Sequence, residues 1–285
     1  MLFDQHIHSR FSQDGHHSIL EIAQTAVSRG LQGITITDHF DLCDAEIGYQ
    51  FYLDCEAARR AEFEKARAAF AGRLEIRWGL EVGHPYFMPE FAREFLASRS
   101  FDFILGSVHF LRDNSDIYLI DYSVPGAVDR VLTEYFTDLL DLLRFGGFDS
   151  LAHLDYPLRV MQGHIPVPTV KPYEALIDPI LKEVIRQGLA LEINTRGYMD
   201  WKKRQEPEDW VLRRYYDLGG RRITIGSDAH VLQAVGVGID RALVKAQSLG
   251  FTALTFYRER TPCAIPIDSL LLNQDSRAAG LSVQA

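Results

Sequence analysis

The sequence predicts an α/β barrel, in which parallel strands alternate with helices around one core. Short apolar, β-branched runs recur seven times along the 285 residues, and stretches with three- and four-residue apolar spacing separate them. No internal repeat, low-complexity block or linker rich in Pro, Gly or Ser divides the chain. We therefore expect a single domain over residues 1–268, followed by a C-terminal tail over residues 269–285.

The predicted strands are short apolar runs that are bounded by Gly, Asp, Asn or Ser or followed by a polar residue. In chain order they are Leu2–His6, Gly33–Thr37, Leu74–Leu80, Phe101–Val108, Phe148–Ala152, Leu189–Ile193 and Arg222–Gly226. After Arg241 the sequence predicts one more helix and then the apolar run Phe251–Tyr257.

The segments between the strands predict crossover helices, because their apolar residues fall on one helical face. Ser18 and Glu21 form a capping box at the start of the first helix. Gly30, Gly188 and Gly219 stand where helix C-caps belong. The six predicted helices are Ser18–Arg29, Tyr52–Phe70, Pro89–Ala97, Ala127–Arg144, Tyr173–Gln187 and Pro207–Leu218.

Composition and charge exclude several classes of protein. Hydrophobic residues make up 47% and charged residues 24%, which is typical of an ordinary globular protein and not of a disordered one. The net charge of −9 repels phosphate backbones and anionic membranes. Three widely spaced cysteines without a C-x-x-C motif indicate neither a disulfide framework nor a thiolate zinc site. Without an apolar leader or a run of about 18 apolar residues, we expect a soluble cytoplasmic protein.

Residue types that bind metals stand at the C-terminal end of nearly every predicted strand. The βα loops of a parallel barrel converge on this rim, where barrel enzymes build their active sites. Residues two positions apart in an extended chain point the same way, so Asp4 shares a face with His6 and His8 and is expected to accept the second imidazole N–H. The strand-end residues are, in order, His6 and His8, Asp38 and His39, Glu81, His109, His153 and Asp155, Asn194 and Arg196, and Asp228 and His230.

This set of side chains predicts a centre of two or more metal ions. Imidazole and carboxylate ligands without thiolate suit Zn, Mn or Fe, and their number exceeds what one tetrahedral ion needs. Glu81 can bridge two ions, which two-metal hydrolases hold about 3.5–4 Å apart. A lone strand-end His is more often a hydrogen-bonding residue than a ligand, but here seven strand ends follow one pattern.

The remaining histidines are interpreted differently. His84 and His164 lie in loops beside Pro or Gly, which favours a solvated or structural role over metal binding. His16 and His17 adjoin Asp14 in a polar loop, so that a contact with metal or substrate stays open for either of them.

The strand-end motifs resemble those of the polymerase and histidinol phosphatase (PHP) phosphoesterases. The matching motifs are, in order, DQHIHSRFSQDG, ITDHF, GLEVG, GSVH, AHLD and GSDAH. The resemblance implies a distorted seven-stranded (β/α) barrel, similar to a TIM barrel, with a trinuclear metal centre at its C-terminal rim. Many histidinol phosphatases of this family carry His where Asp14 stands here. The ligand sets implied are His6, His8, Glu81 and Asp228 for the first ion, Glu81, His109 and His153 for the second, and Asp14, His39 and His230 for the third.

Two arginines, the chain length and the absence of a polymerase module favour the histidinol-phosphatase branch of this family. Arg159 and Arg196 match arginines that contact the substrate phosphate in similar enzymes, and a guanidinium binds phosphate oxygens in a bidentate way. A surface or structural role is the alternative for each. The basic run Lys202–Arg204 is interpreted as a solvated face, with attraction of phosphate as the alternative.

The resemblance implies hydrolysis of a small-molecule phosphate monoester, L-histidinol phosphate to L-histidinol and phosphate, in histidine biosynthesis. Two to three divalent transition-metal ions would supply a hydroxide as nucleophile, so no protein nucleophile is needed. Glu81 and Asp228 would hold this centre. Asp155, two residues after His153, would supply or relay a proton to the leaving alkoxide.

Three other functions stay open. An amidohydrolase-type deaminase or lactonase also begins with H-x-H, but that group often uses a carboxylated lysine where Glu81 stands here. A nuclease that acts on DNA ends is disfavoured by the net charge of −9, although a local Lys/Arg stripe can outweigh it. A catalytically silent module that binds partners would be expected to have lost ligands, and this chain retains all of them.

Overall fold

Parallel strands stand side by side around the core in the computed structural model, which describes residues 2–43 and 48–272. The strands of the main sheet are β1 (Phe3–Ile7), β2 (Gly33–Ile36), β3 (His39–Asp41), β4 (Glu75–Gly83), β5 (Phe103–Ser107), β6 (Ser150–Leu151), β7 (Ala190–Asn194) and β8 (Ile223–Gly226). Their order is β1-β2-β4-β5-β6-β7-β8, with β3 paired to β4, and every pair is parallel. All seven predicted strands are present, and the predicted α/β barrel is confirmed.

The helices connect these strands as the sequence predicts. In the capping box, the Glu21 N–H donates to Ser18 Oγ and the Ser18 N–H donates to Glu21 Oε2. Gly188 ends its helix in the left-handed conformation, with φ of 68°, which a residue without a side chain adopts freely. The helices are α1 (Ile19–Ser28), α2 (Tyr49–Ala69), α3 (Pro89–Ala97), α4 (Ala127–Phe145), α5 (Glu174–Gln187), α6 (Asp209–Asp217) and α7 (Ile239–Ser248). The last of them begins at Ile239, before the position after Arg241 that the sequence predicts.

Backbone hydrogen bonds between the first strand and the loop after the last strand nearly close the barrel. The Asp228 N–H donates to the His6 carbonyl at 2.8 Å, and the His8 N–H donates to the Ala229 carbonyl at 2.9 Å. The C-terminal ends of all strands of the barrel therefore face one rim, and side chains that are distant in the chain become neighbours there.

Two strands are absent from the sequence prediction. The short strand β3 follows β2 after two residues and places His39 opposite Glu81 on β4. The other is β10 (Thr261–Pro266), which pairs antiparallel with β9 (Ala253–Arg258), the strand formed by the predicted apolar run. Prolines at both ends of β10 and its mostly exposed side chains weaken the strand signal, as is typical of an edge strand.

The core continues into the segment predicted as a tail. Residues 267–272 are helical, and Leu270 is buried in the main hydrophobic cluster. The tail predicted from residue 269 therefore begins too early, and its remainder, residues 273–285, lies outside the described part of the chain. None of the described helices is both long and apolar enough to cross a membrane.

Candidate metal centre

Six histidines meet at the rim with their ring nitrogens facing one another. Hydrogen bonds between neutral imidazoles need one protonated nitrogen per pair, whereas unprotonated nitrogens in close pairs are the arrangement of ligands around shared ions. The three closest pairs are His6 Nε2 with His8 Nε2 at 3.0 Å, His109 Nε2 with His153 Nε2 at 3.4 Å, and His39 Nε2 with His230 Nε2 at 3.4 Å.

The Glu81 carboxylate lies in the middle of these rings and is fully buried. One oxygen, Oε2, has no hydrogen bond of acceptable geometry with a described residue. Burial alone would raise the pKa of Glu81, but the charges of His6 and His109 hold it well below its usual value. The nitrogens within reach of its oxygens are His6 Nε2 at 3.3 Å, His8 Nε2 at 3.4 Å and His39 Nδ1 at 2.9 Å from Oε2, and His109 Nε2 at 3.3 Å and His153 Nε2 at 2.9 Å from Oε1.

The structure brings all nine predicted ligands into this one region. His6, His8 and Glu81 form one compact group, and Asp228 Oδ1 lies 3.5 Å from His6 Nε2 and 3.3 Å from His8 Nε2. Glu81, His109 and His153 form a second group. The first group, with Asp228 beside it, contains the residues implied for the first ion, and the second group contains those implied for the second. Glu81 is common to both groups, and the assignment of these residues as ligands stays a prediction.

The third predicted set is more open. His39 and His230 form a group with His8, and Asp14 lies beside them, with Oδ2 at 3.1 Å from His230 Nε2 and Oδ1 at 3.6 Å from His39 Nε2. The Asp14 side chain is 62% exposed, unlike the other carboxylates of the centre. Asp41 also enters, in a group with His39 and His109, and sequence reasoning did not single it out.

The chemistry of these donors fits divalent transition-metal ions. The groups consist of imidazole nitrogens and carboxylate oxygens, without a thiolate. Burial and the charges of His230 and His39 lower the pKa of His8 to about 3, so this ring is neutral and keeps a lone pair for an ion at neutral pH.

The partner of His6 is not the residue predicted from the sequence. Glu192 Oε1 lies 2.7 Å from His6 Nδ1 and accepts the second N–H of that ring. Asp4 instead accepts hydrogen bonds from the backbone N–H groups of Ser227 and Gly236, both at 2.8 Å, so its predicted role was wrong. The signal for Glu192 was a single carboxylate inside an otherwise apolar strand.

Ser12 fixes the ring of His8 through a chain of buried groups. Its hydroxyl donates to Asp38 Oδ1 at 3.1 Å and accepts from the His39 N–H at 3.1 Å. The remaining acceptor position of the hydroxyl faces His8 Nδ1 at 3.0 Å. Arg59, fully buried, donates to Asp38 at 2.6 Å and offsets its charge. This arrangement keeps the proton of His8 on Nδ1, and Nε2 is free to bind an ion.

We expect Ser12→Ala to weaken metal binding by about 10- to 100-fold, because His8 Nδ1 and Asp38 each lose a buried partner. The measurement is the metal content per chain after dialysis against increasing concentrations of a chelator. Ser28→Ala is the matched control, because Ser28 is exposed near the end of α1. Equal metal retention in both variants would contradict the role assigned to Ser12.

The structure separates the roles of three further histidines, His84, His16 and His17. His84 is fully buried, and its Nε2 accepts the N–H groups of His109 at 2.9 Å and Phe110 at 3.1 Å. It is therefore structural, one of the two roles that the sequence favoured. His16 lines the cavity above the centre, whereas His17 is not among the residues that line it.

The cavity at the rim measures about 550 Å³ and contains both predicted phosphate-binding arginines. Arg159 Nε lies 2.9 Å from Glu206 Oε2, and its Nη2 lies 2.8 Å from Asp228 Oδ2. The Arg196 guanidinium makes no hydrogen bond or ion pair with a described residue. A phosphate group in the cavity would therefore meet one guanidinium that two carboxylates hold and one whose side chain has no described hydrogen-bond partner.

Asp155 is not brought to this cavity. It is fully buried, pairs with Arg204 Nη1 at 2.9 Å and accepts the Glu208 N–H at 3.2 Å. It is not among the residues that line the cavity, so the predicted proton transfer to a leaving group has no geometric support. The solvated face predicted for the basic run also needs correction, because the Lys202 side chain is completely buried.

Comparisons with known proteins agree with this geometry. The chain matches the family model of the PHP domain over residues 4–196. A probable histidinol-phosphatase of Thermotoga maritima is 31% identical over 253 residues, which are 89% of this chain and 94% of that protein. The histidinol-phosphatase of Lactococcus lactis is 29% identical over 257 residues, covering 89% of this chain and 93% of that protein.

Solved structures show the same architecture. Histidinol phosphate phosphatase from Lactococcus lactis, crystallised with zinc, L-histidinol and phosphate, superposes with a TM-score of 0.81 at 28% identity, covering 92% of this chain and 98% of that one. A putative histidinol phosphatase from Listeria monocytogenes shares the fold at a TM-score of 0.71 and 18% identity, over 84% of this chain and 99% of that one. The barrel, the histidine-rich rim and these similarities together show that the chain belongs to the PHP family.

Proposed function

We propose that this protein hydrolyses a phosphate monoester, L-histidinol phosphate, to L-histidinol and inorganic phosphate. The observation that carries the proposal is the rim cavity, which Arg159 and Arg196 line together with five of the nine predicted ligands, Asp14, His39, His109, Asp228 and His230. The relatives named as histidinol-phosphatases, and the similar structure that contains zinc, L-histidinol and phosphate, support this substrate.

Two to three divalent ions, Zn, Fe or Mn, would be held by the three ligand sets. When bound, such ions lower the pKa of coordinated water to about 7 and neutralise charge on phosphate oxygens. Glu192 and Ser12 hold protons on Nδ1 of His6 and His8 and so orient both rings. Arg159 and Arg196 would bind the non-bridging oxygens, where charge must be offset during phosphoryl transfer. We assign no proton transfer to Asp155.

The test compares kcat/KM for L-histidinol phosphate, phenyl phosphate and a short DNA in one metal-loaded sample. We expect histidinol phosphate to exceed phenyl phosphate by about a hundredfold or more, because binding energy from the imidazole end helps to orient the phosphorus. Equal values would remove the histidinol-phosphate assignment and leave a metal-dependent phosphoesterase. Preferred cleavage of DNA would instead support the nuclease alternative.

A place in histidine biosynthesis follows from this substrate and is supported by the names of the relatives. The metal identity and the cytoplasmic location expected from the sequence stay predictions.

The exposed position of Asp14 leads to a prediction for the third ion. We expect Asp14→His to retain this ion, because an imidazole also binds Zn and Fe and the site is open to solvent. Elemental analysis of the purified variant measures the effect, and Asp14→Ala is the control that should lose metal. If Asp14→Ala keeps its full metal content, Asp14 is not a ligand and His16 becomes the candidate.

A further inference from the structure

Lys202 is a buried cation that the proposed reaction does not use. Its side chain is completely inaccessible, and its Nζ lies 2.8 Å from Oε1 of Glu206, which is equally buried. The same ammonium group also pairs with Asp200. Burying a lysine costs much hydration energy. The burial of Lys202 therefore indicates that its charge has a role inside the protein.

The reason lies in what else Glu206 binds. Its carboxylate holds the Arg159 guanidinium at two nitrogens, Nε at 2.9 Å and Nη2 at 2.7 Å. Nη2 is also shared with Asp228, whereas Nη1 makes no hydrogen bond with a described residue. Because the guanidinium is planar and rigid, hydrogen bonds to Nε and Nη2 also fix the direction of Nη1. Glu206 therefore orients Arg159, and Nη1 keeps two N–H groups for a ligand.

This arrangement has an electrostatic cost for binding an anion. Arg159 stands between two buried carboxylates, Glu206 and Asp228, and these three groups together carry a net charge of −1. Bound ions would offset the charge of Asp228, whereas Glu206 belongs to none of the described ligand groups. The negative charge of Glu206 would therefore oppose a phosphate anion beside Arg159. Lys202 offsets the charge of the equally buried Glu206, while its second partner, Asp200, is partly exposed, so that solvent screens the Asp200 charge.

From this charge balance we infer that Lys202 is a positioning residue for phosphate binding. Glu206 orients the Arg159 guanidinium, and Lys202 compensates the charge of Glu206, so that the charge of Arg159 remains available to the phosphate. The inference rests on the proposed function only in that Arg159 meets the phosphate. It does not require that the alcohol part of the ester be histidinol.

The experiment measures the Kd of inorganic phosphate by titration calorimetry on metal-loaded protein, with the metal content determined in each sample. We expect Lys202→Met to weaken phosphate binding by about tenfold and to leave the Kd of L-histidinol unchanged. The matched control is Lys203→Met, because Lys203 is the exposed neighbour. An unchanged phosphate Kd in folded, metal-loaded Lys202→Met would overturn the inference, whereas failure of the histidinol phosphate assay alone would not.

Two further variants separate charge from packing. Glu206→Gln should bind phosphate at least as tightly as the wild type, because it removes one negative charge and retains an acceptor for Arg159. The double variant Lys202→Met/Glu206→Gln restores the original sum and should return the Kd to within about threefold of the wild type. A purely structural role for Lys202 requires every variant to bind more weakly than the wild type. Weaker phosphate binding in both Glu206→Gln and the double variant would therefore overturn the inference, even if Lys202→Met alone did not fold.

Discussion

Glu81→Gln is expected to lower kcat/KM for phosphate ester hydrolysis on the order of a thousandfold or more, and to reduce the metal content by more than one ion per chain. Both carboxylate oxygens face imidazole nitrogens, and Glu81 belongs to two of the five groups of described residues that could hold an ion. Glutamine offers one neutral oxygen and places an N–H₂ group against rings that need an acceptor.

The measurements for Glu81→Gln are elemental analysis and kcat/KM, each compared with two other variants. Glu75→Gln is the matched control, because Glu75 lies at the partly exposed start of the same strand. His230→Ala tests the third group and should cost less activity, since His230 belongs to one group alone. A wild-type rate and metal content in Glu81→Gln would remove Glu81 from the centre.

Arg159→Ala is expected to lower kcat/KM by about ten- to a thousandfold, the range for loss of a charge-assisted phosphate contact. It should also lower the free energy of unfolding by about 3 kcal/mol or more, because two buried carboxylates, Glu206 and Asp228, lose a shared cation. Arg159→Lys should restore part of the activity, since the charge survives and the bidentate geometry does not.

Arg196→Ala provides the contrast for this prediction. It should lower kcat/KM within the same range, but its free energy of unfolding should stay close to that of the wild type, because Arg196 has no described ion-pair partner. Urea denaturation and steady-state kinetics on both variants test the difference. If Arg159→Ala keeps full activity, Arg159 serves only the internal ion pairs, which was the structural alternative.

The sequence predicts the barrel and the rim well because both are local patterns. Most strands contain a short apolar run, and every predicted ligand except Asp14 stands within a few residues of the C-terminal end of such a run, so the spacing along the chain is enough for these residues. The sequence did not predict the short strand β3, because the strand has only three residues and begins with a polar histidine.

The partners of the ligands could not be predicted in this way. Glu192 is 186 positions away from His6, and only closure of the barrel makes them neighbours. Asp4 instead accepts hydrogen bonds from the backbone N–H groups of Ser227 and Gly236, residues that are more than 220 positions away in the chain. Lys202 belongs to a basic run, and such runs usually lie on the surface. It is buried because Glu206 and Asp200, in the loop after β7, pair with its ammonium group.

The closure of the barrel also dictates when the centre can form. His6 and His8 are synthesised well before Asp228 and His230, which follow only after all eight strands of the main sheet. The hydrogen bonds that join β1 to the loop after β8 cannot exist in a shorter nascent chain. The complete set of nine predicted ligands is therefore assembled only in the finished fold, and we expect tight binding of all the ions only once the barrel has closed.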